Sequence, residues 1–287
     1  MRKTWSVAVL SVFALWGVTN AVAQTNEAAR PAAAATPGTS APGALVVTGG
    51  APMVPYRYSY TMVQLHAFPN YQPLEKDIFK LMFERIGTFD YGDDYFFLGV
   101  NSDYGEDWSA NTETLYFKYA PCLSLDKVFK KKVIPADWLG DFFLTLQVNA
   151  GDLDYLRTVW LAGIAFDLGK LPYFGRCRFY ALARKEDTME ATHQFTVMWA
   201  QPFYTGSQRW IFNGWGAHWD NDYTHDVMKF EPQLRYCLSN FLGKSNPFRD
   251  AHIGVELECS NHYLLDPETH KIRGWDLNPS VFFAWPF

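Results

Sequence analysis

The last stretch of the chain, Trp275 to Phe287, narrows the possible folds more than any other. Trp275, Leu277, Val281, Phe283, Trp285 and Phe287 share one parity, while Asp276, Asn278 and Ser280 begin the other. Successive side chains of a strand point to opposite faces, so one face is apolar and aromatic and the other begins polar. A soluble sandwich could carry that alternation. A chain end in water, however, is usually frayed and polar, and this one finishes on Trp-Pro-Phe. A strand closing a transmembrane β-barrel accounts for both features, with lipid against its outer face and its aromatic end at the membrane–water interface.

The start of the chain supports an exported protein. Met1-Arg2-Lys3 precedes an apolar run of 14 residues, Trp5 to Val18, and then Ala21-Val22-Ala23. This is the pattern of a secretory signal peptide over 1–23, and its core is shorter than the roughly 20 residues of a transmembrane helix. No other segment is a long apolar run, so a membrane-embedded form would have to cross as strands. Residues 24–54 are rich in Ala, Pro, Gly and Thr and are expected to be a disordered periplasmic arm. That leaves 55–287 for the barrel. Without Arg2 and Lys3, 23 of the 25 basic residues oppose 30 acidic ones, a formal net charge of −7. Such a balance argues against a nucleic-acid partner. Aromatics reach 17% while apolar content is an ordinary 48%, a combination that interfacial girdles around a barrel produce. Cys122, Cys177, Cys237 and Cys259 form no Cys-x-x-Cys pair and read as small apolar fillers. Strand parity turns Cys177 and Cys259 to lipid and Cys237 inward.

Twelve strand-like segments follow Tyr56, approximately 56–66, 77–86, 88–100, 112–121, 141–149, 155–168, 172–185, 191–204, 208–221, 229–243, 251–264 and 275–287. Several alternate cleanly. Ile253, Val255 and Leu257 oppose Glu256, Glu258 and Ser260, and Leu144, Leu146 and Val148 oppose Thr145, Gln147 and Asn149. The segments at 88–100 and 208–221 are irregular and leave their register open. Short connections such as Thr205 to Ser207 alternate with longer acidic ones such as Asn101 to Asn111, the asymmetry of periplasmic turns and outer loops. Ser124 to Gly140 is a long exception carrying Lys127, Lys130, Lys131 and Lys132, expected to be solvated.

Inward parity assigns an unusual set of side chains to the lumen. The candidates for contact with a passing solute are Tyr116, Lys118, Phe143, Arg157, Arg176, Arg178, Tyr180, Glu231, Arg235, Glu256, Glu258 and Phe282, joined by Lys80, Glu84 and Gln147. Charges in such number are tolerated inside only if they pair or line water. Arg176 and Arg178 share one face and need acids opposite, for which Glu231, Glu256 and Glu258 are candidates. Mixed signs argue against a simple ion filter. Rings that stack on a base, beside ionic and amide groups for a sugar, suit weak sequential contacts, as conduction requires.

Phe96-Phe97 followed by Asn101-Ser102-Asp103, Leu123-Ser124-Leu125-Asp126-Lys127, Trp160 through Asp167-Leu168-Gly169, and Gly214 through Trp219-Asp220 carry a family likeness. Over roughly 56–287 the chain resembles the nucleoside-specific outer-membrane channels, the Tsx-type porins, and their relatives. The resemblance implies a monomeric twelve-stranded barrel in the bacterial outer membrane, passing nucleosides down their gradient, with outer-membrane lipid and a small polar solute as its partners. No cofactor and no metal are expected: His218, Asp220, Asp222, His225 and Asp226 match no established ligand spacing. Two rival readings remain. One is a barrel enzyme, a lipid acyl hydrolase using Ser260 and His262 beside Glu256 and Glu258. The other is a structural barrel with a plugged lumen.

Overall fold

A computed structural model describes residues 59–72, 76–101, 115–151, 158–168, 176–186, 190–221, 225–261 and 274–287. The expected signal peptide and arm, as well as Arg157 and His262, lie outside the described residues. Twelve antiparallel strands close into one barrel: β1 (Ser59–Tyr71), β2 (Lys76–Phe89), β3 (Gly92–Asn101), β4 (Leu115–Ser124), β5 (Asp141–Gly151), β6 (Val159–Asp167), β7 (Arg176–Glu186), β8 (Thr192–Thr205), β9 (Gln208–Asn221), β10 (His225–Cys237), β11 (His252–Asn261) and β12 (Trp275–Pro286). Each strand pairs with its neighbours in sequence, and β1 closes on β12. With twelve strands, the start of β1 and the end of β12 emerge at one end, here the terminal end. The opposite rim is the loop end.

The boundaries differ from the sequence reading where irregular residues intervene. β1 continues five residues beyond 66, to Tyr71, through a bulge in its pairing with β2. There Asn70 takes the left-handed conformation (φ 51°), one of the few residues that tolerate it. β10 stops at Cys237 instead of running to 243, because the chain turns into a 3-10 segment, Leu238–Asn240. The long lysine-bearing connection holds a short helix, α1 (Leu125–Phe129). The two strands left open are in register: β3 turns Asp93, Tyr95 and Phe97 inward, and β9 turns Asn213, Trp215 and Trp219 inward.

The outer face is an apolar belt. Leu65, Phe79, Leu81, Leu146, Trp160, Val255, Val281 and Trp285 are all exposed, Leu146 by 63%. Contiguous apolar exposure on this scale is what a bilayer covers. Across β5 to β8, Phe142, Phe166, Phe179 and Phe195 stack in sequence with ring centroids 6.0, 5.5 and 6.0 Å apart. At the terminal end Phe248, Trp285, Phe287 and Phe83 form a second outward chain of rings, where an interfacial girdle belongs. The polar residues are on the other side. Gln64, His66, Arg178, Arg235, Glu256, Glu258, Asp276 and Asn278 are all buried inside the barrel. All four cysteines are buried free thiols.

Candidate functional site in the barrel lumen

The lumen contains three polar clusters, each built from cross-strand neighbours. The first lies near the terminal end. Arg178 donates from both terminal nitrogens to Asp93 (2.7 and 2.9 Å) and from one to Asp167 (2.9 Å). Asp167 is its direct partner on β6. Arg176 reaches the same Asp93 at 3.7 Å. The guanidinium of Arg178 also lies 4.0 Å from the centre of the Phe143 ring. The two arginines are therefore balanced by Asp93 and Asp167, which corrects the expectation that Glu231, Glu256 and Glu258 would do this. Of these two acids, Asp93 is on β3, whose irregular pattern concealed its inward face. Tyr180, Phe143 and Cys122 pack in one apolar cluster beside this site.

The second cluster fills the barrel against β1. Gln64 donates to Glu84 (2.8 Å) and turns its own amide oxygen to His66 Nε2 at 3.2 Å. Nδ1 of His66 is 3.1 Å from the Ser280 hydroxyl and 3.5 Å from Glu256. Gln233 donates to Glu256 and accepts from Arg235 (Nε, 3.0 Å) and from Asn213 (3.1 Å). Phe282 stacks on His66 with centroids 4.6 Å apart. Its ring lies across Gly254, where a Cβ would stand 2.5 Å from Phe282 Cζ. The glycine leaves the space the ring occupies. His66 is fully buried, and Gln64, Glu256, Arg235 and Phe282 are 5% exposed or less.

The third cluster is more open. Glu258 accepts from Lys80 (3.0 Å) and Tyr71 (3.2 Å), and Lys229 lies 3.4 Å away. Lys229 also pairs with Glu231 at 3.1 Å, and Glu231 accepts from the Trp215 indole at 2.8 Å. The Lys118 ammonium sits over two rings, 5.7 Å from Tyr95 and 5.2 Å from Trp215. Tyr95 donates to Glu84 at 2.8 Å. Here the side chains of Lys80 and Lys229 are 15% exposed and that of Glu231 17%, whereas the second cluster is sealed. Tyr116 adjoins this region through its contact with Phe97, 6.0 Å between centroids.

Every described candidate points inward, but they divide among these clusters instead of forming one site. His66, Gln64, Asp93, Tyr95 and Trp215 were not singled out in the sequence. Alternation in Thr61 to Ala67, with Val63 and Leu65 opposite Gln64 and His66, would have found the first two. Asp93, Tyr95 and Trp215 lie on the two irregular strands. Among the described residues Ser260 is buried with no hydrogen-bond partner for its hydroxyl, and His262, its companion in the hydrolase reading, lies outside them.

No family model matches the chain, and no curated protein does. Among solved structures, OccK5 (OpdH) of Pseudomonas aeruginosa matches over 80% of this chain and 97% of its own, with 7% identity and a TM-score of 0.23. So slight a likeness carries no argument, and the fold rests on the barrel itself.

Proposed function

We propose that this barrel lies in a bacterial outer membrane and passes small polar solutes by diffusion, with nucleosides as the preferred class. The observation carrying this reading is the open third cluster. Two rings, Tyr95 and Trp215, stand beside the Lys118 ammonium and next to the paired charges of Lys229 and Glu231. A nucleoside is uncharged, has a flat base that stacks, and has a sugar that both donates and accepts. Paired charges offer it hydrogen bonds without the tight grip that a lone charge exerts on an ion, and release has to be as easy as capture. Tyr180 and Phe282, the rings first considered for stacking, are 6% and 5% exposed and packed against neighbours. Tyr95 and Trp215 are the better-placed pair.

Liposome swelling with the refolded protein tests the reading, comparing nucleosides with sugars and amino acids of similar size. Nucleosides are expected to enter fastest. Trp215→Ala should slow them about tenfold, since stacking on one aromatic contributes roughly 1–3 kcal/mol per base. Sugar influx should change little. Equal influx of all solutes would remove the nucleoside preference, and none at all would remove the channel.

A further inference from the structure

A closed barrel has no free edge, and the shortest ladder in this one is the β1–β12 seam, with the seven-pair β4–β5 seam next. β1 and β12 pair over six positions, from Met62 with Pro286 to Ala67 with Val281. β1 pairs with β2 at eleven positions and β11 with β12 at ten. Continued two residues further, the β1–β12 register would set Pro69 opposite Pro279. Neither proline has an N–H to donate, and proline within a sheet belongs on an edge. Beyond them β1 carries the bulge at Asn70, where its register with β2 shifts. What spans the gap is Gln72: its side-chain oxygen accepts from Leu277 N (3.0 Å), and its backbone N donates to the Asn278 side chain (2.8 Å).

The two sides of this gap differ in chemistry. Outside is an apolar recess of about 350 Å³, lined by Pro69, Pro279, Val281, Leu257, Leu234 and Phe212, within the size range of small-molecule sites, roughly 300–1,000 Å³. Inside are Ser280 and Asn278, both buried, and the Asn278 amide nitrogen has no hydrogen-bond partner among the described residues. Few buried polar groups are left unpaired. The axial route beside the gap is filled by Gln64, His66, Arg235 and Phe282.

From these features we infer that the β1–β12 seam toward the loop end is a lateral exit from lumen to bilayer. Its ligand is an amphiphile with one alkyl chain and a polar, hydrogen-bond-accepting head. The head takes the free Asn278 amide, and the chain slides past Pro69 and Pro279 into the apolar recess. The inference goes beyond solute conduction and needs only that the barrel spans a membrane.

The test uses the full barrel in vesicles whose outer leaflet is lipopolysaccharide, with dansyl-labelled undecanoic acid as the probe and protein-free vesicles as the background. Gln72→Ala removes the acceptor for Leu277 N. It should speed probe transfer about fivefold, the change in equilibrium that one net hydrogen bond makes. Pro69→Val with Pro279→Val restores two backbone donors and should slow transfer about tenfold or more by the same reasoning. Uridine-driven swelling should stay unchanged in both. Heat-modifiable migration on gels reports folding, and Gln72→Ala alone decides if the double variant does not fold. Transfer no faster than in protein-free vesicles, or identical in parent and variants, overturns the exit. Loss of uridine influx with the seam responses intact overturns the channel reading and leaves the exit standing.

Discussion

Arg178 is 2% exposed, in a place where a lone cation could not remain. Two carboxylates and an aromatic face hold it there, and each depends on the arginine in return. Removing one partner of a buried ion pair strands the other charges and typically costs about 3–5 kcal/mol, whereas replacing the whole set by neutral groups of similar shape is often close to neutral. Arg178→Met is therefore expected to lower the unfolding free energy of the refolded barrel, measured by urea titration, by that amount. The triple variant with Asp93→Asn and Asp167→Asn should recover much of the loss. A triple variant as unstable as the single one would mean that Arg178 acts mainly through its contact with Phe143. Parity placed the arginine correctly, since Arg176 and Arg178 are two apart on a regular strand. It missed the partners, because Asp93 and Asp94 are adjacent and point to opposite faces, with Asp94 pairing outside with Arg85 at 3.1 Å. Only the register of β3 tells them apart.

The elements show the same division. Where alternation runs unbroken, as in β5 and β12, the sequence is enough to state both faces, and the exposed and buried positions follow it; in β11 they follow it up to Cys259, which has outward parity but is buried. Where prolines, glycines or bulges enter, pairing between strands decides. β9 carries Gly214 and Gly216 on its outer face, and Trp199 leans over Gly214, where a Cβ would come within 2.7 Å of the indole. An apolar side chain is missing there because its neighbour covers the spot. The connection from β4 to β5 held structure that composition concealed. Ser124 accepts from Lys127 N (3.1 Å) to cap α1 and donates to Asp141. Asp126 accepts from Val133 N (2.9 Å) and from Lys132 (2.7 Å). A capping serine replaced by alanine costs about 1 kcal/mol, so Ser124→Ala should lower the urea midpoint modestly and leave solute influx unchanged. A fall in influx with no loss of stability would instead make this connection part of the solute path.

Taken as a whole, the molecule is sealed more tightly than a water-filled pore. A barrel of twelve strands leaves a narrow interior, and here Met62, Gln64, His66, Arg235 and Phe282 occupy it with almost no exposed surface. Arg235 reaches the Met62 sulfur at 3.0 Å and lies 5.7 Å from the Phe282 ring, so these two large side chains hold the constriction together. In planar bilayers the parent should show small unitary currents, because ions have to pass between paired side chains. Arg235→Ala with Phe282→Ala removes both props and leaves polar atoms of Gln233 and Gln64 around the space, where water can enter. Unitary conductance should then rise severalfold, while nucleoside preference, which depends on Tyr95 and Trp215 elsewhere in the lumen, should persist. Unchanged conductance would show that current does not cross this constriction and would turn attention to the β1–β12 seam. A large rise together with lost preference would mean that the constriction, not the open cluster, selects the solute.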